Sequence, residues 1–200
     1  MKGGFLLVSG GVVSYATLNS GVFVADYLWG TSAAASYAAA ERLVTAARAA
    51  YLPITQYLIV RLASEEGKTA SGVWANESRM LVILGSGGLI MAFSLWIVGE
   101  AYFTFVLDDI RALSSFRILV VGYAILGLAH YYCTVSLLGH NRVRAWWLAL
   151  VFCFLVYCSM LLLVPASSSS LYSLAVCVVG AEIGLVLYGY VLALCRRKRI

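Results

Sequence analysis

The amino-acid sequence predicts an all-α polytopic membrane protein, a bundle of six transmembrane helices. Three observations carry this. The 200 residues are 62% hydrophobic and only 12% charged, with mean hydropathy +0.92, whereas soluble domains are about half apolar and a quarter charged. Six apolar runs reach the roughly 20 residues needed to cross a bilayer. Strand-like alternation is absent, which argues against a β-barrel.

The runs cover about 5–28, 37–63, 80–102, 117–139, 146–164 and 171–195. All six belong to a single domain, residues 1–200, with no room for a soluble one. Lys2 precedes a long apolar run with no small-residue cleavage pattern, so the first helix is expected to stay in the protein. The second run is alanine-rich, and Pro53 removes a helical hydrogen bond and is expected to kink it. Between runs lie Gly30-Thr31-Ser32, polar Ser64–Ser78, acidic Asp108–Ser115, His140–Arg144 and Ser167–Ser170. In the sixth run Gly180 and Gly184 stand at GxxxG spacing, a packing signal. Trp29, Trp74, Trp146 and Trp147, near span ends, are expected in the interfacial aromatic belts.

Charge sets the expected orientation. With the N-terminus inside, inner segments hold Lys2, Arg61, Lys68, Arg79, Arg142, Arg144 and the tail Arg196-Arg197-Lys198-Arg199. Outer segments hold only Arg111 and Arg117. Both termini are therefore expected in the cytosol. The net charge of +5 reflects mainly that tail and is no nucleic-acid footprint. His140, Arg142 and Arg144 are expected to meet anionic head groups.

The second run carries Glu41, Arg42 and Arg48, where each charge costs roughly 2.5–3.5 kcal/mol at bilayer depth. At 3.6 residues per turn, Tyr37, Glu41, Thr45, Arg48, Leu52 and Thr55 share one stripe with Gln56 beside it. Arg42 lies roughly 100° round from Glu41. The first run adds Asn19 near mid-span and Asp26 near its outer end, where hairpin geometry would let Asp26 meet Arg42. Two readings stay open: a water-accessible cavity whose arginine grips an anionic head group, or a self-neutralising structural cluster. Arginine suits the first through its permanently charged planar fork. Glu182, near the middle of the sixth span, is either a proton carrier or a packed carboxyl. His130 is expected to be a hydrogen-bonded interior histidine.

Several chemistries find no support. Cys133, Cys153, Cys158, Cys177 and Cys195 show no CxxC or zinc spacing and read as small buried hydrophobes. There is no HExxH, Walker or GxSxG pattern. No enzymatic activity and no cofactor or metal is expected.

Three stretches resemble a known family. They are Asp26-Tyr27-Leu28-Trp29-Gly30 through Ser36-Tyr37-Ala38-Ala39-Ala40-Glu41-Arg42-Leu43-Val44 to Leu52-Pro53-Ile54; Val98-Gly99-Glu100 followed by Arg117-Ile118-Leu119; and Leu137-Leu138-Gly139-His140-Asn141-Arg142. In order and spacing the chain resembles the C-terminal half of polysaccharide (O-antigen-type) flippases of the multidrug/oligosaccharidyl-lipid/polysaccharide exporter superfamily. The resemblance implies one lobe of a two-lobe exporter in the cytoplasmic (inner) membrane. Its implied cargo for lipopolysaccharide-type synthesis is a lipid-linked oligosaccharide on undecaprenyl pyrophosphate, moved by alternating access between lobes. Arg48 would bind phosphate with Arg42 helping near the rim, and Glu41 and Asp26 would hold the arginines. Tyr37, Asn19 and Gln56 would meet sugar or solvent, and Glu182 is the candidate for proton or ion coupling. One lobe cannot alternate alone, so the chain is expected to be a truncation or to pair with a second lobe in cis or trans. The rival function is a non-transporting membrane interaction protein, a remnant or accessory subunit. An enzyme acting on lipid-linked sugars would need paired outer carboxylates, for which Asp108-Asp109 is thin.

Overall fold

A computed structural model describes residues 2–64, 70–164 and 171–197. Expectations for Lys68, the Ser167–Ser170 turn and the end of the basic tail lie outside the described residues, as do those for the side chains of Trp74, Arg196 and Arg197. The described residues are helical with no strand, and six helical segments are long and apolar enough to cross a membrane.

Helix α1 runs Lys2–Trp29 and ends at Gly30, whose φ of +85° favours glycine. The second span is α2, Thr31–Ala49, and α3, Tyr51–Ser64, broken at Ala50. The break falls just upstream of Pro53, which cannot donate to the Ala49 carbonyl. At the break the Ala47 carbonyl accepts from the Ala50 amide at 3.1 Å and from the Tyr123 hydroxyl at 2.8 Å. Buried tyrosine thus satisfies a polar group for which lipid has no donor.

Helix α4 runs Ala70–Phe105 and α5 runs Ile110–Ala129. A π-helical turn, His130–Val135, follows, then the short α6, Ser136–Gly139. Helices α7, Val143–Leu162, and α8, Tyr172–Arg197, complete the chain. Three helices start six to ten residues before their apolar runs: α2 at Thr31, α4 at Ala70 and α5 at Ile110. Hydropathy marks bilayer thickness, whereas helices start at caps and propensity runs. Asp109 caps α5, accepting from the amides of Arg111 and Ala112, both at 3.0 Å.

Helix α5 is the hub, packed against α2, α4 and α8, and the neighbour contacts α1–α2, α2–α5, α5–α8, α8–α7 and α7–α1 close a five-helix ring. Helix α4 lies outside this ring on α5, where a methyl on Gly127 would strike the Leu84 carbonyl. A methyl on Gly180 would run into Met160, which ties α8 to α7. Small residues here set backbone distances.

The bundle has two ends. Near the chain termini, Trp146 packs on Gly10 and the Trp147 indole donates to Ser9 at 3.0 Å. At the opposite end Ser36 donates to Asp109 at 2.6 Å, and Arg117 pairs with Glu100. Burial of Asp109 would raise its carboxyl, but the Ser36 hydroxyl, two backbone amides and nearby Arg111 outweigh that and hold it below its ordinary value.

The tryptophans at the span ends turn partly inward. Trp29 and Trp146 bury their indole nitrogens inside the bundle, and Trp147 is half-buried against α1. Position along a span does not tell which side of the helix a residue faces.

Candidate binding cavity

On α2 the buried positions Ala33, Ala34, Tyr37, Ala40 and Val44 repeat at helical spacing toward the bundle interior. Arg48 extends that stripe by one turn, just before the break. Its guanidinium reaches the Glu182 carboxylate of α8 at 3.1 Å, with the two side chains only 13% and 10% exposed. Burial of either charge alone would be costly, and pairing offsets much of that cost.

Beside this pair lies a cavity of about 330 Å³. Ser14 and Thr17 reach it from α1, Thr45, Arg48 and Ala49 from α2, and Leu52 from α3. Leu126 and Ala129 of α5, His130 and Thr134 of the π turn, Trp146, Leu150 and Cys153 of α7, and Glu182 and Leu185 of α8 complete the wall. Thr45, Ala49 and Leu52 are also exposed, so the cavity opens where α2 breaks into α3. Size and mixed lining are those of a small-molecule site, largely apolar with a few convergent polar groups.

Three buried nitrogens on that wall, Arg48 Nε, His130 Nδ1 and Trp146 Nε1, have no hydrogen-bond partner among the described residues. The first and last are donors only, so the cavity holds unmet donor capacity. The π turn brings His130 and Thr134 onto the wall, and such turns recur at functional sites. Tight packing keys it to α8: the Cys133 thiol donates to the Leu185 carbonyl at 3.1 Å, and Gly189 lies against Tyr132 and Cys133.

The other candidate residues separate. Tyr37 is fully buried, its ring against Gly21 and its hydroxyl without a partner among the described residues. Glu41 is half-buried on α2, outside the cavity lining, and joins no ion pair among the described residues. Glu182, not Glu41, holds Arg48, because Glu41 lies seven residues away, about 10.5 Å of helix rise. The expected Asp26–Arg42 pair is not formed: both side chains are exposed and neither enters an ion pair among the described residues. Gln56 is exposed, and Asn19 donates back to the Tyr15 carbonyl of its own helix at 2.9 Å. His130 differs from expectation in leaving Nδ1 unbonded. Asp108 is exposed while Asp109 serves as a helix cap, so the two do not form a paired site. Among the described residues no group of His, Cys, Asp and Glu is arranged to hold a metal ion.

The Arg48–Glu182 link had no signal in the sequence, since 134 positions separate the partners. Only an unpaired charge at mid-span in each of two helices hinted that they meet. Comparison of the chain with protein-family models, curated proteins and solved structures returns no match.

Proposed function

We propose that this chain is one lobe of a lipid-linked polysaccharide flippase, with α2 facing a second lobe across a polar cleft. The observation that carries this is the exposed side of α2. From residue 28 to residue 51 no large apolar side chain is exposed, and Arg42, Thr45, Ala46 and Ala49 form the surface instead. Lipid does not favour such a face, whereas water or a facing protein does. Arg42 stands on it, and Arg48 sits behind the cavity mouth that opens beside it. Together they would grip the pyrophosphate of the carrier lipid. Export then requires that the two lobes rock around this site, with different affinity in the inward and outward states. On this reading both termini lie in the cytosol, which the positive tail supports.

Surface polysaccharide in cells that depend on the chain tests it. Arg48→Ala should lower export about tenfold or more, the scale of one lost charged hydrogen bond. Arg48→Lys should recover only part, since a point charge lacks the planar fork. Normal export by Arg48→Ala at normal protein level would refute the phosphate grip.

A second reading has one observation in its favour. Glu182 already neutralises Arg48, as it would in a non-transporting interaction protein where the pair only joins helices. Arg48→Met with Glu182→Leu separates the two, because it keeps the packing but removes the charges. Intact export in that double variant favours joining; lost export in a stable protein favours transport.

A further inference from the structure

We infer that the cavity takes up a phosphate-type anion together with one proton, the anion replacing Glu182 on Arg48 and the proton neutralising the displaced carboxylate. This rests on reading Arg48 as an anion ligand. Arg48 meets Glu182 through one terminal nitrogen, while its Nε is buried without a partner among the described residues, on the wall of a cavity that opens at Ala49 and Leu52. An oxyanion entering by that mouth finds an unmet donor and can complete a two-point grip, which a single carboxylate contact does not supply.

Glu182 then loses its counter-charge while only 8% exposed. The titratable or charged groups near it are Arg48 from α2, His130 and Cys133 from the π turn and Cys153 from α7, while α1 and α5 bring none to the cavity. Arg48 is therefore the permanent cation of the described wall, and it cannot neutralise two anions. A proton from water at the mouth, bonding to a Glu182 carboxylate oxygen, restores neutrality. The anion-bound state thus holds one more proton than the free state, and affinity must fall as pH rises. The rival proton acceptors are His130 on the same wall and Glu41 on α2, whose carboxylate feels the Arg48 charge from outside the lining.

The test titrates sulfate, a tetrahedral oxyanion that does not itself titrate near neutral pH, into the full chain in lipid nanodiscs. Calorimetry is run in two buffers of equal pH and different ionisation enthalpy. Uptake of about one proton per sulfate is expected, with Kd weakening by roughly tenfold per pH unit. Glu182→Gln should bind sulfate with no buffer dependence, and His130→Gln should keep the uptake. Buffer-independent binding by the unmodified chain would overturn the proton linkage and leave the Arg48 reading intact. Absence of sulfate binding at every pH, in both the unmodified chain and folded Glu182→Gln, would instead overturn the Arg48 reading itself. Uptake that survives Glu182→Gln, whether it then disappears in His130→Gln or in Glu41→Gln, would overturn the assignment to Glu182.

Discussion

Helices α2 and α4 both lie at the surface of the bundle, yet they present opposite faces at similar depth. Helix α4 exposes Val82, Ile83, Leu89, Ile90, Phe93 and Ile97, each more than half uncovered. That is a surface matched to acyl chains. Helix α2 exposes alanines, threonine and Arg42. The difference teaches that exposure alone does not mean lipid. A bilayer-facing helix is recognised by bulk, and a helix without bulk on its outer side is waiting for water or for protein.

The sharpest test of that contrast is all-or-none. In native membranes, Ala46→Cys should react with a charged, membrane-impermeant maleimide, and Ile90→Cys should not. Equal silence at both positions would place α2 in lipid or against a dry partner and remove the cleft. Equal labelling would remove the lipid assignment of α4.

Next in size is the inner side of α2. Arg48→Ala should cost about 3–5 kcal/mol of unfolding free energy, because it leaves Glu182 buried and unpaired. The Arg48→Met/Glu182→Leu double variant should recover most of this, measured by denaturant unfolding in detergent. A small loss for the single variant would mean that water already solvates Glu182 through the mouth. The inner side of α4 answers to shape instead of charge. Gly127→Ala pushes a methyl into the Leu84 carbonyl and should cost about 1–3 kcal/mol, since backbone yields poorly. No loss would mean that α4 and α5 slide apart freely.

These two sides also show what could be read ahead of the structure. The six spans were legible because apolar length is a one-dimensional property. The α2 stripe was legible only in part: Tyr37 and Arg48 do share the inward side, but that side runs through Ala40 and Val44, leaving Glu41 half-buried and Thr45 exposed. Glu182 was visible as an oddity, but its partner was not, because tertiary pairing across 134 positions leaves no local pattern. The early starts of α2 and α5 had readable signs in hindsight: the run Ala33-Ala34-Ala35 after Gly30, and Asp109 as a cap before Ile110. Nothing local marked the π turn. It packs against Gly189 of α8, and its first residue, His130, lines the cavity.

The smallest expected effect lies where α2 meets α5 at the end remote from the chain termini. Asp109 accepts two amides of α5 and the hydroxyl of Ser36 on α2, so one carboxylate caps one helix and fastens another. Its folded pKa is depressed, so its charge contributes stability that is present above the unfolded value, about 3.9, and is lost as pH falls through the lower folded value. Asp109→Asn keeps a capping oxygen, since the two residues cap about equally well. It removes the charge at a helix N-terminus, worth about 0.3–1 kcal/mol. The variant should therefore be slightly less stable than the unmodified chain at neutral pH, and the gap should close as pH falls through the depressed folded value. A gap that persists in acid would mean that Ser36 depends on amide geometry and not on charge. The α2–α5 junction would then be fastened by shape, like the α4–α5 contact at Gly127.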